Sequence, residues 1–148
     1  YQYPIEIVHT PDQDFTDLEK AIEFLIARGF TAANIVWATG KRADHTITNL
    51  TQIVRFKDRI KLKVFDDYSI VYPCPNPFVK WYPKGTILSL IPVGTVTHIN
   101  SRNLEFPLEN LTLTLGYKTG SSNRVSEDGL VEICYESGDL LLMECVDE

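Results

Sequence analysis

The chain has 148 residues, 44% of them hydrophobic, and a net charge of -6. That supports one ordinary core or two small adjoining ones, and no run approaches the roughly 18 consecutive apolar residues of a transmembrane helix. Residues 1–77 carry nine Lys/Arg against ten Asp/Glu and residues 78–148 five against ten, the opposite bias to a nucleic-acid surface.

The chain opens on Tyr1 rather than Met, with no basic stretch leading into an apolar one. The expectation is a cytoplasmic protein without a secretory signal, lacking an N-terminal part. Ile5–Val8 reads as a short strand. The acidic stretch Thr10–Lys20 follows, and then Leu18, Ala21, Ile22, Leu25 and Ile26 fall on one helix face. Gly29 stands where a helix C-cap glycine belongs. Ile35–Ala38 is the next strand, and Ile47, Leu50, Ile53 and Val54 give a second helix face. Ile60–Phe65 alternates apolar residues with lysine, and Ser69–Tyr72 is a further strand. This order predicts a parallel sheet with crossover helices.

The pattern breaks at Pro73-Cys74-Pro75-Asn76-Pro77, a stiff segment that reads as a domain boundary. Short strands separated by turns follow: Thr86–Ile91, Val96–Ile99, Asn103–Phe106, Leu111–Leu115, Val131–Tyr135 and Leu140–Cys145. The fold class expected is therefore α/β plus all-β. A partial parallel α/β layer over 1–77 precedes a small antiparallel β-sandwich over 78–148. Cys74, Cys134 and Cys145 form no C-x-x-C pair and read as free thiols. Trp37 and Trp81 read as core or domain-contact residues.

Two charged strand-to-helix turns stand out. In the first, Thr16 and Glu19 fit a capping box and Asp17 suits the helix dipole. Neither requirement accounts for Asp12 and Asp14. A calcium loop fails because its sixth position is Asp17 rather than glycine. In the second, Ala38–His45, Gly40-Lys41 lacks the upstream glycine and the following Ser/Thr of a phosphate loop. Arg42 and Asp44 stand two residues apart at a helix start, a spacing that serves a phosphate site and a surface ion pair equally. Of the three histidines, His9 follows the first strand, His98 lies in a later strand, and only His45 sits within a charged turn. Gly120-Ser121-Ser122-Asn123 reads as a polar turn between strands.

Taken in order, TPDQDFTDLEK, TGKRADHTITNL, TILSLIPVG, LEFPLEN and GSSN resemble the motifs of thiamine pyrophosphokinases. The resemblance covers essentially the whole chain and implies a homodimer with the active site shared between subunits. Such enzymes transfer the pyrophosphoryl group of ATP to thiamine with Mg²⁺, making thiamine diphosphate and AMP. By matching position, it implies that Asp14, Thr16 and Asp17 belong to the metal and phosphate site, with Asp14 and Asp17 as metal ligands. Arg42 and Asp44 would hold the nucleotide, and Asp17 or Asp44 would act as base. Gln13 would lie beside thiamine, Phe106 would stack on it, and Ser122 and Asn123 would reach it from the partner subunit. The family's upstream glycine-aspartate-x-aspartate-serine motif, its main source of Mg²⁺ ligands, is not among these 148 residues. Alternative expectations are a non-catalytic thiamine-binding or dimerisation module, or a kinase for another small alcohol.

Overall fold

The computed structural model describes residues 4–147. Its first helix, α1 (Asp17–Ala27), is fixed by sequence at both ends. Thr16 Oγ1 accepts the Glu19 N–H at 3.2 Å, and the Glu19 carboxylate accepts the Thr16 N–H at 2.9 Å, the reciprocal capping box. At the other end Gly29, at φ 83°, turns the chain while its N–H bonds Ile26 O. Strand β1 (Ala32–Val36) follows, then α2 (Ala43–Gln52), which tightens into a 3-10 turn over Ile53–Phe56. Strand β2 (Lys61–Phe65) pairs parallel with β1, as the crossover helix requires. Strand β3 (Ser69–Pro73) then returns antiparallel to β2. The turn between them is built by Asp66, whose Oδ1 accepts the Tyr68 and Ser69 N–H groups at 2.9 and 2.7 Å.

The remaining strands are β4 (Phe78–Tyr82), β5 (Ile87–Arg102), β6 (Leu111–Thr114), β7 (Gly120–Arg124), β8 (Gly129–Cys134) and β9 (Ser137–Cys145). The hydrogen-bonded order is β1-β2-β3-β9-β5-β8-β4, with β6 and β7 also on β5. One curled sheet thus runs from the α/β layer into the sandwich. Strand β5 pairs with β9 and β7 in its first half and with β6 and β8 in its second. It bends where Gly94 and His98 adopt φ 82° and 49°, and so belongs to both layers.

Two cores lie on opposite faces of this sheet. Ile22, Ile53, Phe56, Leu62 and Val64 fill the α/β core, and Leu88, Leu90, Val96, Ile99, Leu113 and Val131 the sandwich core. Strand β9 serves both. Leu140 and Leu142 point into the sandwich, Leu141 into the α/β core, with Met143 packed against the latter. Strand β3 alternates likewise, with Val71 on one side and Tyr72 on the other. Approach of β9 to β5 requires Gly138, because a Cβ there would lie 2.2 Å from Thr95 O.

Several expectations are corrected. Ile5–Val8 is not a strand. Among the described residues no neighbouring strand supplies it with partners, and Ile7 is 79% exposed. Thr86–Ile91 and Val96–Ile99 are parts of one bent strand, because positive-φ residues curve the ladder without ending it. Asn103–Phe106 makes a single bridge, Leu104 to Val125. The supposed polar turn Gly120–Asn123 lies in strand β7, paired with β5. Strand β4 escaped notice because it follows the proline segment directly. Neither tryptophan is in a core: Trp37 is 96% exposed and Trp81 57%.

Lys80 on β4 bonds Glu144 on β9 at 2.7 Å. Burial alone would raise the Glu144 pKa, but Lys80 and the Tyr82 and Tyr72 hydroxyls outweigh it and hold the carboxyl below its ordinary value. A depressed folded pKa contributes stability above the unfolded pKa, lost as pH falls through the folded one. Urea unfolding from pH 7 downwards should therefore show a loss below the ordinary carboxylate range that Lys80→Met diminishes. Leu141→Ala should lower unfolding free energy by about 3 kcal/mol, measurable by the same titration.

Candidate active site

The acidic turn and the second charged turn face each other across a cavity of about 570 Å³. Gln13, Thr16 and Asp17 line one side and Asp44, His45, Thr48 and Asn49 the other. The reason is the βα connectivity. Helix α2 starts from the C-terminal end of β1 and its 3-10 extension packs against α1, joined by the Glu19–Arg55 ion pair. The Thr16 hydroxyl also donates to Gln52 Oε1 at 3.1 Å. Of the residues expected here, Gln13, Thr16, Asp17 and Asp44 form the walls. Arg42 reaches them through Asp44. Asp14 is exposed on the same turn, its N–H bonded to Asp12 Oδ1 at 2.8 Å, which gives Asp12 a place in the turn.

Arg42 and Asp44 form a two-point contact, Nε to Oδ1 at 3.1 Å and a terminal nitrogen to Oδ2 at 2.6 Å. Arg42 therefore holds the Asp44 carboxyl below its usual value. Both side chains are well exposed, so an incoming phosphate can compete for the guanidinium. Across the cavity Asp17 is fully exposed and lies 3.8 Å from Lys20. Lys20 also lines the cavity, and the helix pattern gave a signal for it: three residues after Asp17, it shares that face. Thr48 and Asn49 were missed because α2 was read only for its apolar stripe. Asn49 Nδ2 donates to Ala38 O at 2.8 Å, tying α2 to the end of β1.

No cluster of three or more His, Cys, Asp or Glu side chains able to hold a metal occurs among the described residues. Two accessible carboxylates, Asp14 and Asp17, are nevertheless the number that Mg²⁺ takes beside substrate phosphates.

The third group of residues lies elsewhere; none from 103–124 lines the cavity. Phe106 projects from the sandwich 60% exposed, while Asn123 is 2% exposed. Asn123 Oδ1 accepts the Phe106 N–H at 3.0 Å and its Nδ2 donates to Phe106 O at 2.7 Å. Ser122 is exposed at φ 56°, its N–H on Ser89 Oγ at 2.9 Å. The structure thus joins Phe106 with Asn123, with Ser122 next to Asn123 on the same strand, and joins the acidic turn with the Arg42 turn in another place.

Removing Arg42 should release Asp44. In Arg42→Gln the Asp44 pKa should rise toward that of an ordinary carboxylate, read by carbon-detected NMR titration. Thr16→Ala should cost about 1 kcal/mol through loss of the cap, read by urea unfolding.

Residues 1–65 match the catalytic domain of thiamin pyrophosphokinase and residues 77–140 its vitamin B1 binding domain. Thiamin pyrophosphokinase 1 of Caenorhabditis elegans is 32% identical over 133 residues, which are 82% of this chain and 55% of the relative. Thiamine pyrophosphokinase of Bacillus subtilis is 25% identical, over 80% of this chain and 57% of its own. The crystal structure of the B. subtilis enzyme superposes with a TM-score of 0.77 at 24% identity, covering 93% of this chain and 66% of that one. That likeness speaks to the fold alone. The chain spans about half the length of the curated relatives it matches. Both halves match successive domains of one family, in order and with the same fold, and the chain belongs to the thiamin pyrophosphokinase family.

Proposed function

We propose that the protein carrying this chain is an ATP:thiamine pyrophosphotransferase. The observation that carries this reading is the cavity between the two charged turns, together with the match of each half to a thiamin pyrophosphokinase domain. The hydroxyl oxygen of thiamine attacks the β-phosphorus of ATP. The bond from that phosphorus to the oxygen bridging the α-phosphate breaks, AMP leaves, and the hydroxyl proton passes to a carboxylate. Such transfer depends on positioning and charge neutralisation more than on covalent help from the protein.

Thr16, Arg42 and Asp44 hold the nucleotide, and Asp14 and Asp17 bind its Mg²⁺. Asp17, the more exposed of the two in the cavity wall, is favoured over Asp44 as proton acceptor because Arg42 bonds both Asp44 oxygens, whereas a single contact to Mg²⁺ would leave one Asp17 oxygen free. Gln13 borders the thiamine ring system and Phe106 stacks on it, an aromatic face against a cation. Ser122 contributes from its place next to Asn123. The two patches line no common cavity wall, which favours a homodimer in which the partner's sandwich closes the site. Three free thiols suit a reducing cytoplasm. Among the described residues no helix is long and apolar enough to cross a membrane.

A second reading, a thiamine-binding module without catalysis, draws on the lack of a three-ligand metal cluster among the described residues. The two are separated by supplying ATP, thiamine and Mg²⁺ to the gene-encoded protein. AMP should form in step with thiamine diphosphate and require both thiamine and Mg²⁺. Thiamine binding without AMP would favour the module, and turnover indifferent to thiamine would exclude both. Asp17→Asn should lower kcat by roughly 100-fold with thiamine KM little changed.

A further inference from the structure

Phe106 is an exposed ring on an unusually constrained support. On its N-terminal side Leu104 is buried, bridges Val125, and follows Asn103, whose amide bonds both the N–H and the carbonyl of Glu127 at 3.0 and 2.8 Å. Glu105 N–H bonds Arg124 O at 2.8 Å. On its C-terminal side Leu108 is buried and its N–H and carbonyl bond Ser101 Oγ and N–H at 2.8 and 2.9 Å. Between these anchors only one side chain among the described residues, that of Asn123, bonds the Phe106 backbone. It takes the N–H and the carbonyl together, and its Oδ1 also accepts the Arg124 N–H at 2.9 Å.

Asn123 is thereby turned inward, with one of its two amide N–H donors and its carbonyl oxygen engaged inside the fold. With Oδ1 accepting two bonds, Nδ2 donating one, and the side chain 2% exposed, it presents no surface to a ligand. A carboxamide fixing both polar groups of one residue holds that peptide segment against rotation. Ordering a ring before a ligand arrives removes a cost that binding would otherwise meet. A large apolar ring held out in water by buried anchors and an internal amide clamp is arranged for a flat partner.

We propose that Asn123 is a positioning residue for Phe106, acting on thiamine affinity only through the ring and without touching the substrate. This rests on the reading of Phe106 as the thiamine platform. It replaces the expectation that Asn123 reaches thiamine directly, and leaves that contact to Ser122.

The test is a double-mutant cycle on the gene-encoded protein, read as thiamine KM, ATP KM and kcat, with amide hydrogen exchange on the same samples. Asn123→Ala should raise thiamine KM about ten-fold, with ATP KM and kcat held within about two-fold. The Phe106 amide should exchange about ten-fold faster than in the parent. In the Phe106→Ala background, adding Asn123→Ala should change thiamine KM no further. A further independent rise would mean direct contact and overturn the inference. So would an unchanged KM in Asn123→Ala when Phe106→Ala raises it. If Phe106→Ala itself leaves thiamine KM unchanged, the platform reading fails, a result distinct from either. Should Asn123→Ala not fold, exchange in the parent still decides: an unprotected Phe106 amide overturns the clamp.

Discussion

The double-sided burial of β9 is the constraint on which the rest of the structure depends. Leu140, Leu141 and Leu142 are consecutive and all essentially buried, which a strand achieves only when both faces are covered. One face closes the α/β core and the other the sandwich core. Because β9 pairs with β3 on one side and β5 on the other, the last strand of the chain fixes where the two halves meet. A register slip of one residue in one direction would bring Asp139 to the place of Leu140 and set a carboxylate in the sandwich core.

From that junction the two functional patches take their separate places. The cavity belongs to the end of the α/β layer where β1 hands over to α2. Its geometry follows from the capping box at Thr16, the Glu19–Arg55 pair and the Asn49 bond to β1. The Phe106 patch belongs to the sandwich, where buried leucines and asparagine amides fix a short segment with little regular structure of its own. Both patches set exposed polar or aromatic groups on a backing fixed by burial and hydrogen bonds.

Electrostatics divides between them in the same way. At the cavity Arg42, Asp44 and Asp17 are exposed to solvent, with Arg42 and Asp44 paired at two points. Within the fold the pairs are more enclosed. Glu144 keeps a low pKa despite burial because Lys80 and two tyrosine hydroxyls surround it, while burial pushes the Cys74 thiol up to about 12 and keeps it inert. The exposed pair is open to solvent, and the enclosed one ties β4 to β9.

Much of this was legible in the sequence. The helix stripes, the Thr16–Glu19 cap and the Gly29 stop are local patterns set by neighbours within a few residues, and the ordered motifs carried the family. Local pattern also misled where pairing decides: Ile5–Val8 has strand chemistry but no partner strand among the described residues, and Gly120–Asn123 has turn composition but lies against β5. Which side chains meet was likewise beyond local reading. That Lys20, Thr48 and Asn49 join Asp17 and Asp44 around one cavity follows from helix packing. That Asn123 turns inward onto Phe106, 17 residues away, follows from a contact between a β-strand and a loop. By itself the sequence determined the family, the helices and the chemistry available. The tertiary structure alone decided which of those groups face a ligand and which hold the fold, because burial and hydrogen-bond partners are properties of packing rather than of order along the chain.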